Sequence, residues 1–255
     1  MSSYVGRHSE LYDIFYADKP YEKEAVFINQ CIRQHSIGET RSLLELACGT
    51  GSHALALEKF GYNIVGTDYS EDMLGVARIK AAKSFSRVDF RLQDMRDLHL
   101  SDPPFDAAIC LFDSIGYAST TEAIKNILKG LHDHLRPEGL FILEFWHASA
   151  MLRNYEPLRI RRWSIHDMEI MRISETELEY DKQLAHVTYT IYELRKDGTY
   201  SIIKETQTNR YFLVQEMKEL LLSCSFKPLE WFAGFTESKN ISDETWHIVV
   251  IARRR

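Results

Sequence analysis

Leu43-Leu44-Glu45-Leu46-Ala47-Cys48-Gly49-Thr50-Gly51 is the stretch around which the chain is organised. Leu43, Leu44 and Leu46 form a continuous apolar run, as in a strand buried on both faces. Glu45 interrupts it with one acid near the strand's carboxyl end. Five small residues follow, and His53 to Phe60 reads as a helix with Gly61 as its stop. A strand, a tight turn of small residues and a helix let a ligand approach the backbone beside a helix N-terminus. A second apolar run, Tyr62 to Thr67, ends at Asp68, whose carboxylate can accept hydrogen bonds from both hydroxyls of a ribose. The bland alternative is an ordinary glycine-rich αβ turn. The order of acid, turn and second acid argues against it.

Outward from this stretch, a leading segment carries Tyr4, Tyr12, Phe15 and Tyr16. Tyr21 to His35 reads as a helix with Ala25, Phe27, Ile28 and Ile32 on its apolar face, ended by Gly38. We read residues 1–37 as a lid, the alternative being simple packing of the tyrosines onto the sheet. Beyond Asp68, Ser70 caps a helix with Glu71 and Asp72 in its first turn. Val88 to Leu92 is a third strand, ending at Gln93-Asp94-Met95-Arg96. Phe105 to Phe112 is a fourth, followed by the loop Asp113-Ser114-Ile115-Gly116-Tyr117. Ligands of open parallel sheets bind outside the strands' carboxyl ends, so this loop is the expected place for a substrate. Thr120 to Leu135 reads as a helix, Pro137-Glu138-Gly139 as a turn, and Leu140 to Phe145 as a fifth strand ending in Trp146 and His147.

The pattern then changes. Leu158 to Thr208 alternates with period two, as in Thr188, Thr190 and Tyr192 against Val187, Tyr189 and Ile191, and Asp197-Gly198 is a hairpin signal. This predicts an antiparallel insertion of three or four strands. Val214 to Cys224 reads as a helix, and Pro228 to Ala233 and Trp246 to Ala252 as closing strands. The expected architecture is α/β: a doubly wound, mostly parallel seven-stranded sheet with an inserted antiparallel β cap. The core would comprise residues 1–157 and 209–255, and the cap residues 158–208.

With 255 residues, 45% of them hydrophobic, the chain can bury a substantial core. Its net charge of −6, without a long basic run, argues against a nucleic-acid partner. Cys31, Cys48, Cys110 and Cys224 are scattered without a CxxC pair, which reads as reduced thiols in a cytoplasmic protein with no metal site. The N-terminus lacks an apolar signal core, and no stretch is long enough to span a membrane.

The segment from Glu45 to Gly51, with Asp68 after it, resembles the first motif of class I S-adenosylmethionine-dependent methyltransferases, with Ala47 standing for the first glycine. The resemblance implies that the turn wraps the methionine half of S-adenosylmethionine, that Asp68 holds the ribose and that Asp94 and the following amide read the adenine. The cofactor shell it implies is Tyr21, Glu45, Ala47, Cys48, Gly49, Thr50, Gly51, Asp68, Tyr69, Met73, Asp94, Met95 and Leu111, with S-adenosylhomocysteine as product. Over most of its length the chain also resembles the TDP-3-amino-sugar N,N-dimethyltransferases, through Tyr4, Ser9 to Asp13, Asp94 to Leu98, Ser114 to Tyr117 and Glu144 to Trp146. It departs from them at Tyr117, where they have His, and at Thr236-Glu237-Ser238-Lys239, where they carry a glycine- and arginine-bearing loop. The resemblance implies a small-molecule acceptor, an amine by preference. Nucleotide-linked amino sugars, a smaller amine or hydroxyl as in the similar glycine and sarcosine methyltransferases, and cofactor binding without turnover stay open. A homodimer is a further expectation.

Methyl transfer from a sulfonium is a direct displacement, so alignment and exclusion of water matter more than a catalytic dyad. Tyr4, Tyr12 and Tyr117 are expected to converge on the methyl or its acceptor, with His147 as a fourth candidate or a structural histidine. Three other patterns carry less. Gly49-x-Gly51-x-x-Ala54 fits a dinucleotide fingerprint, but Glu45, Asp94 and the late antiparallel strands fit the methyl donor better. Asp102-Pro103-Pro104-Phe105 resembles the base-gripping motif of nucleic-acid amino-methyltransferases but precedes the fourth strand, at the wrong end of the sheet. His132 and His134, two apart on a helix, point to different faces.

Overall fold

The computed structural model describes Tyr4 and residues 6–165 and 167–255. Seven strands form one sheet: β1 (Ser42–Leu46), β2 (Asn63–Asp68), β3 (Asp89–Leu92), β4 (Phe105–Cys110), β5 (Leu135–Trp146), β10 (Phe226–Ala233) and β11 (His247–Arg254). Their order is β10-β11-β5-β4-β1-β2-β3. The first five are parallel, and β11 runs antiparallel between β5 and β10. β1 lies between β2 and β4, so the sheet reverses its winding beside β1, and the turn after β1 sits at the switch point where open sheets bind ligands.

Both faces of this sheet are covered, which explains the near-continuous apolar strands. Leu44, Leu46, Ala108, Cys110, Phe141 and Val250 meet α5 (Thr121–His134) and α7 (Val214–Ser223). Leu43, Ala107, Ile109, Ile142 and Val249 meet α2 (Tyr21–His35), α3 (Ser52–Glu58) and α4 (Glu71–Ser84). Ser70 caps α4 as its position predicts, its Oγ accepting from the Met73 amide at 3.3 Å.

The insertion is a separate four-stranded antiparallel sheet, β6 (Leu158–Ile165), β7 (Met168–Glu179), β8 (Leu184–Arg195) and β9 (Tyr200–Arg210), in sequential order. Three details depart from the sequence reading. Residues Pro137 to Gly139 belong to β5, and a register shift against β4 absorbs the expected turn, with Glu138 at φ 62°. The leading segment contains α1 (Arg7–Phe15), whose Leu11 and Phe15 pack on Ile170 and Ile191 of the cap. A short helix, α6 (Ala148–Asn154), follows β5. Asp102 lies at the amino end of β4 and pairs with Arg91, which fits a structural proline turn. No helix among the described residues is long and apolar enough to cross a membrane.

Candidate active site

The turn after β1 is built from left-handed backbone. Ala47, Gly49 and Gly51 have φ of 51°, 55° and 74°. At Gly51 a side chain is excluded twice over, by this φ and by the Phe90 ring lying where a Cβ would go. Asp68, at the end of β2, faces the turn. Its Oδ2 accepts from the Gly49 amide and its Oδ1 from the Ser70 amide, both at 2.8 Å. Burial pushes this carboxyl up, against the pull of those amides.

Above the turn is a narrow cavity of about 70 Å3. Ala47, Gly49, Asp68, Tyr69 and Met73 line it from the core, Tyr4, Tyr12 and Tyr16 from the leading segment, and Phe112, Ser114 and Tyr117 from the end of β4 and its loop. Tyr189, Gln207 and Asn209 close it from the cap. The structure thus brings Tyr4, Tyr12 and Tyr117 together beside the turn. The Tyr4 and Tyr117 hydroxyls are 2.5 Å apart, and Gln207 Oε1 lies 2.9 and 3.0 Å from them. The Tyr12 ring stands edge-on to Tyr4, with centroids 5.5 Å apart. Burial raises all three phenols well above their ordinary range, so they stay protonated at neutral pH.

Long-range ties hold this group. Glu205 of β9 accepts from the Tyr4 amide at 2.9 Å and pairs with His8 at 2.8 Å. Ser70 Oγ donates to the Tyr4 carbonyl at 2.9 Å, and Asp13 of α1 accepts from Thr50 at 2.7 Å. Asp113, in left-handed conformation after β4, accepts from the Trp146 amide at 2.9 Å and from Asn209 at 3.0 Å, joining the loop to the cap. Gly116 is fixed by this junction: a Cβ there would lie 2.7 Å from the Arg210 carbonyl and 2.8 Å from Asp113 Oδ2.

Other expected site residues are placed elsewhere. His147 does not line the cavity; its ring Nδ1 lies 3.1 Å from the Thr245 carbonyl, and the residue begins α6, so its position is structural. Thr50 is turned toward Asp13, Cys48 packs under the turn near Gly66, and Leu111 and Met95 lie in the core, because small and apolar residues at a strand end face the helices as readily as the cleft. Asp94 is engaged by the guanidinium of Arg96, with Arg96 Nε 3.0 Å from both carboxylate oxygens. Tyr21 and Glu45 do not line the cavity. The Tyr21 hydroxyl and Glu45 Oε2 are buried without a hydrogen-bond partner among the described residues. The Ala54 amide donates to the Glu45 carboxyl, which burial pushes up to about 8. The sequence reading did not single out Phe112, Tyr189, Gln207 and Asn209 as site residues. The last three come from cap strands whose inward face only the folded chain defines.

A second, larger cavity of about 730 Å3 opens between core and cap and shares Tyr16, Phe112, Trp146 and Tyr189 with the first. On its core side, Lys19 is 2.6 Å from Glu24 and sits 4.5 Å from the Phe112 ring centroid. Glu144 accepts from the Phe112 amide at 2.6 Å and lies 2.7 Å from His247, which, with Lys19 nearby, holds its carboxyl below the usual range in spite of burial.

Residues 43–139 match the family model described as a methyltransferase domain. YqeM of Bacillus subtilis, provisionally named a methyltransferase, is 28% identical over 91% of this chain and 90% of its own length. The dTDP-3-amino-3,4,6-trideoxy-alpha-D-glucopyranose N,N-dimethyltransferase of Streptomyces venezuelae is 36% identical over 54% of this chain and 57% of its own. An S-adenosylmethionine-dependent methyltransferase from Clostridium acetobutylicum has the same fold, with TM-score 0.82 and 21% identity over 96% of this chain and 97% of that one. A glycine turn at the sheet's switch point, an acid at the next strand end and a methyltransferase-domain match across both make this chain a class I S-adenosylmethionine-dependent methyltransferase.

Proposed function

We propose that the enzyme transfers the methyl group in line to the nitrogen of a small-molecule amine bound under the cap. A proton count at Tyr4, Tyr117 and Gln207 supports an acceptor that donates a hydrogen bond here, as an amine or an alcohol does, and the relatives' names favour the amine. Three contacts join the two hydroxyls and the amide oxygen, but two phenols supply only two protons. Whichever two bonds form, one phenol oxygen keeps lone pairs for an incoming donor, and an amine N–H is such a donor. Protonated phenols make poor bases, so the tyrosines orient the amine rather than deprotonate it.

On the donor side, the residues fit the cofactor. Ala47 and Gly49 present backbone, Asp68 is held by the amides of Gly49, Tyr69 and Ser70 with lone-pair capacity left toward a ribose, and Tyr69 and Met73 flank it. The unpartnered Tyr21 hydroxyl and Glu45 Oε2 match the polar methionine end. The sulfonium supplies an already activated methyl. The aromatic walls exclude water and favour the cation over the neutral product. Residues 158–208 act in this reading as the cap that selects the acceptor. The amino-sugar activity in the Streptomyces venezuelae relative's name supports nitrogen as the acceptor atom.

Calorimetry followed by a mass-spectrometric screen tests this. S-adenosylmethionine and S-adenosylhomocysteine should bind, NAD and NADP should not, and amines in a mixed panel of amino sugars, amino acids and alcohols should gain methyl groups. Methylation of the alcohols alone would overturn the amine assignment. Tight NADH binding would overturn the donor assignment.

A further inference from the structure

The larger cavity contains a buried cation that has no counter-ion among the described residues. Arg172 of β7 is 6% exposed, and its Nε is buried with no hydrogen-bond partner among the described residues. Its guanidinium carbon lies 4.7 Å from the Phe15 ring centroid, 5.2 Å from that of Tyr189 and 5.3 Å from that of Trp163. Aromatic faces compensate only part of the cost of burying a charge. Arg161 is directly opposite Arg172 in the β6–β7 register, and Arg159 is opposite Ser174. Like charges facing each other across a strand pair are destabilising. Arg159, Arg161 and Arg172 all line the cavity.

The cavity's carboxylates do not resolve this excess. Glu24 is engaged by Lys19 and His53, Glu144 by His247, and Glu156 by Arg159 at 2.6 Å, while Asp18 is exposed to solvent. Neither Arg161 nor Arg172 makes a direct ion pair among the described residues, and Glu156, already held by Arg159, reaches Arg161 only at longer range.

We propose that the methyl acceptor carries an anionic group, a carboxylate or a phosphate, that Arg172 and Arg161 hold it, and that Arg159 stands at the rim of this site. This rests on the reading of the cleft as a methyl-transfer site and adds the acceptor's second recognition point. The aromatic ring of Tyr189 lies between the two, lining both the cation-bearing cavity and the tyrosine cluster. A substrate held there at its anion would reach past Tyr189 with its nitrogen toward Tyr4 and Tyr117. The charge selects the acceptor, and the phenols aim it.

The test uses the full chain saturated with S-adenosylhomocysteine and three probes at fixed ionic strength: pyrophosphate, benzoate and neutral benzamide. The native protein should bind at least one anionic probe about tenfold more tightly than benzamide. Arg172→Met should erase that preference and Arg161→Gln should weaken it about threefold, both with S-adenosylhomocysteine affinity unchanged, while Arg172→Lys should retain part of it. Preference for pyrophosphate alone assigns a phosphate, and preference for benzoate alone a carboxylate. Equal binding of all three probes, or a preference that survives in Arg172→Met, overturns the proposal. If Arg172→Met fails to fold, Arg161→Gln decides: an unchanged preference in that exposed-site variant overturns it. Failure of S-adenosylhomocysteine to bind the native protein would instead refute the methyl-transfer reading itself.

Discussion

The two halves of the cleft are built on different principles. The proposed donor half runs from Ser42 to Met73, one strand–turn–helix–strand unit and the start of α4, whose hydrogen bonds, such as that from Gly49 to Asp68, span short sequence distances. The proposed acceptor half joins Tyr4, Tyr117, Tyr189 and Gln207, and its Tyr4–Gln207 bond closes 203 positions. A local unit is specified by its own turn geometry. A non-local one depends on the leading segment, the β4 loop and the cap docking together, which allows the acceptor to change while the donor site stays fixed.

Substituting a glycine in each half should break this division most visibly. Gly51→Ala forces a Cβ into the Phe90 ring at a left-handed φ, and overpacking plus that conformation should cost roughly 2–4 kcal/mol in urea unfolding, with donor binding lost. Gly116→Ala pushes on the Arg210 carbonyl and Asp113 instead. It should abolish turnover while leaving S-adenosylhomocysteine affinity within about threefold, since donor and acceptor residues sit in separate units. Loss of donor affinity there would show that the halves are not separable.

Asp68→Ala should weaken donor binding by about 1.5–3 kcal/mol, the range for hydrogen bonds to a charged group, measured by calorimetry. Tyr117→Phe sharpens the acceptor side. Orientation predicts that KM rises about tenfold with kcat little changed, whereas a fall in kcat of about 10²-fold would mean that the phenol relays a proton.

These contrasts follow what the sequence made legible. The strand–turn–helix around Gly49, the Asp68 station, the seven-stranded sheet and the antiparallel insertion could all be read from local pattern. Helix α1 could not, because Leu11 and Phe15 pair with Ile170 and Ile191 of the distant cap. In β9 the usual pattern is inverted. Ile202 is exposed, while Gln207 and Asn209 are buried and Glu205 is half-buried, since each polar side chain finds a partner in the leading segment or the β4 loop. Hydropathy alone assigns that face to solvent. His147 misled in the opposite sense: a histidine at the ligand edge is bound to a carbonyl and serves the fold.

The smallest effect expected is in pH dependence. Glu45 titrates near 4.5 when unfolded and is pushed up to about 8 by burial. Between those values the folded chain keeps a proton that the unfolded chain has released, so stability falls as pH rises through the window and levels off above about pH 8. Glu45→Gln removes that proton, and its melting temperature should fall less than that of the native protein between pH 5 and 8. Parallel profiles would show that Glu45 is ionised in the fold.

The most direct test of the two-part site is a crystal structure with S-adenosylhomocysteine bound. At least two of the rings of Tyr4, Tyr12 and Tyr117 should line the space beside the sulfur, with Asp68 on the ribose hydroxyls and Gln207 behind the phenols. If all three rings turn into the core or into solvent while the nucleoside still lies on Asp68, the acceptor site is elsewhere and this account of it is contradicted.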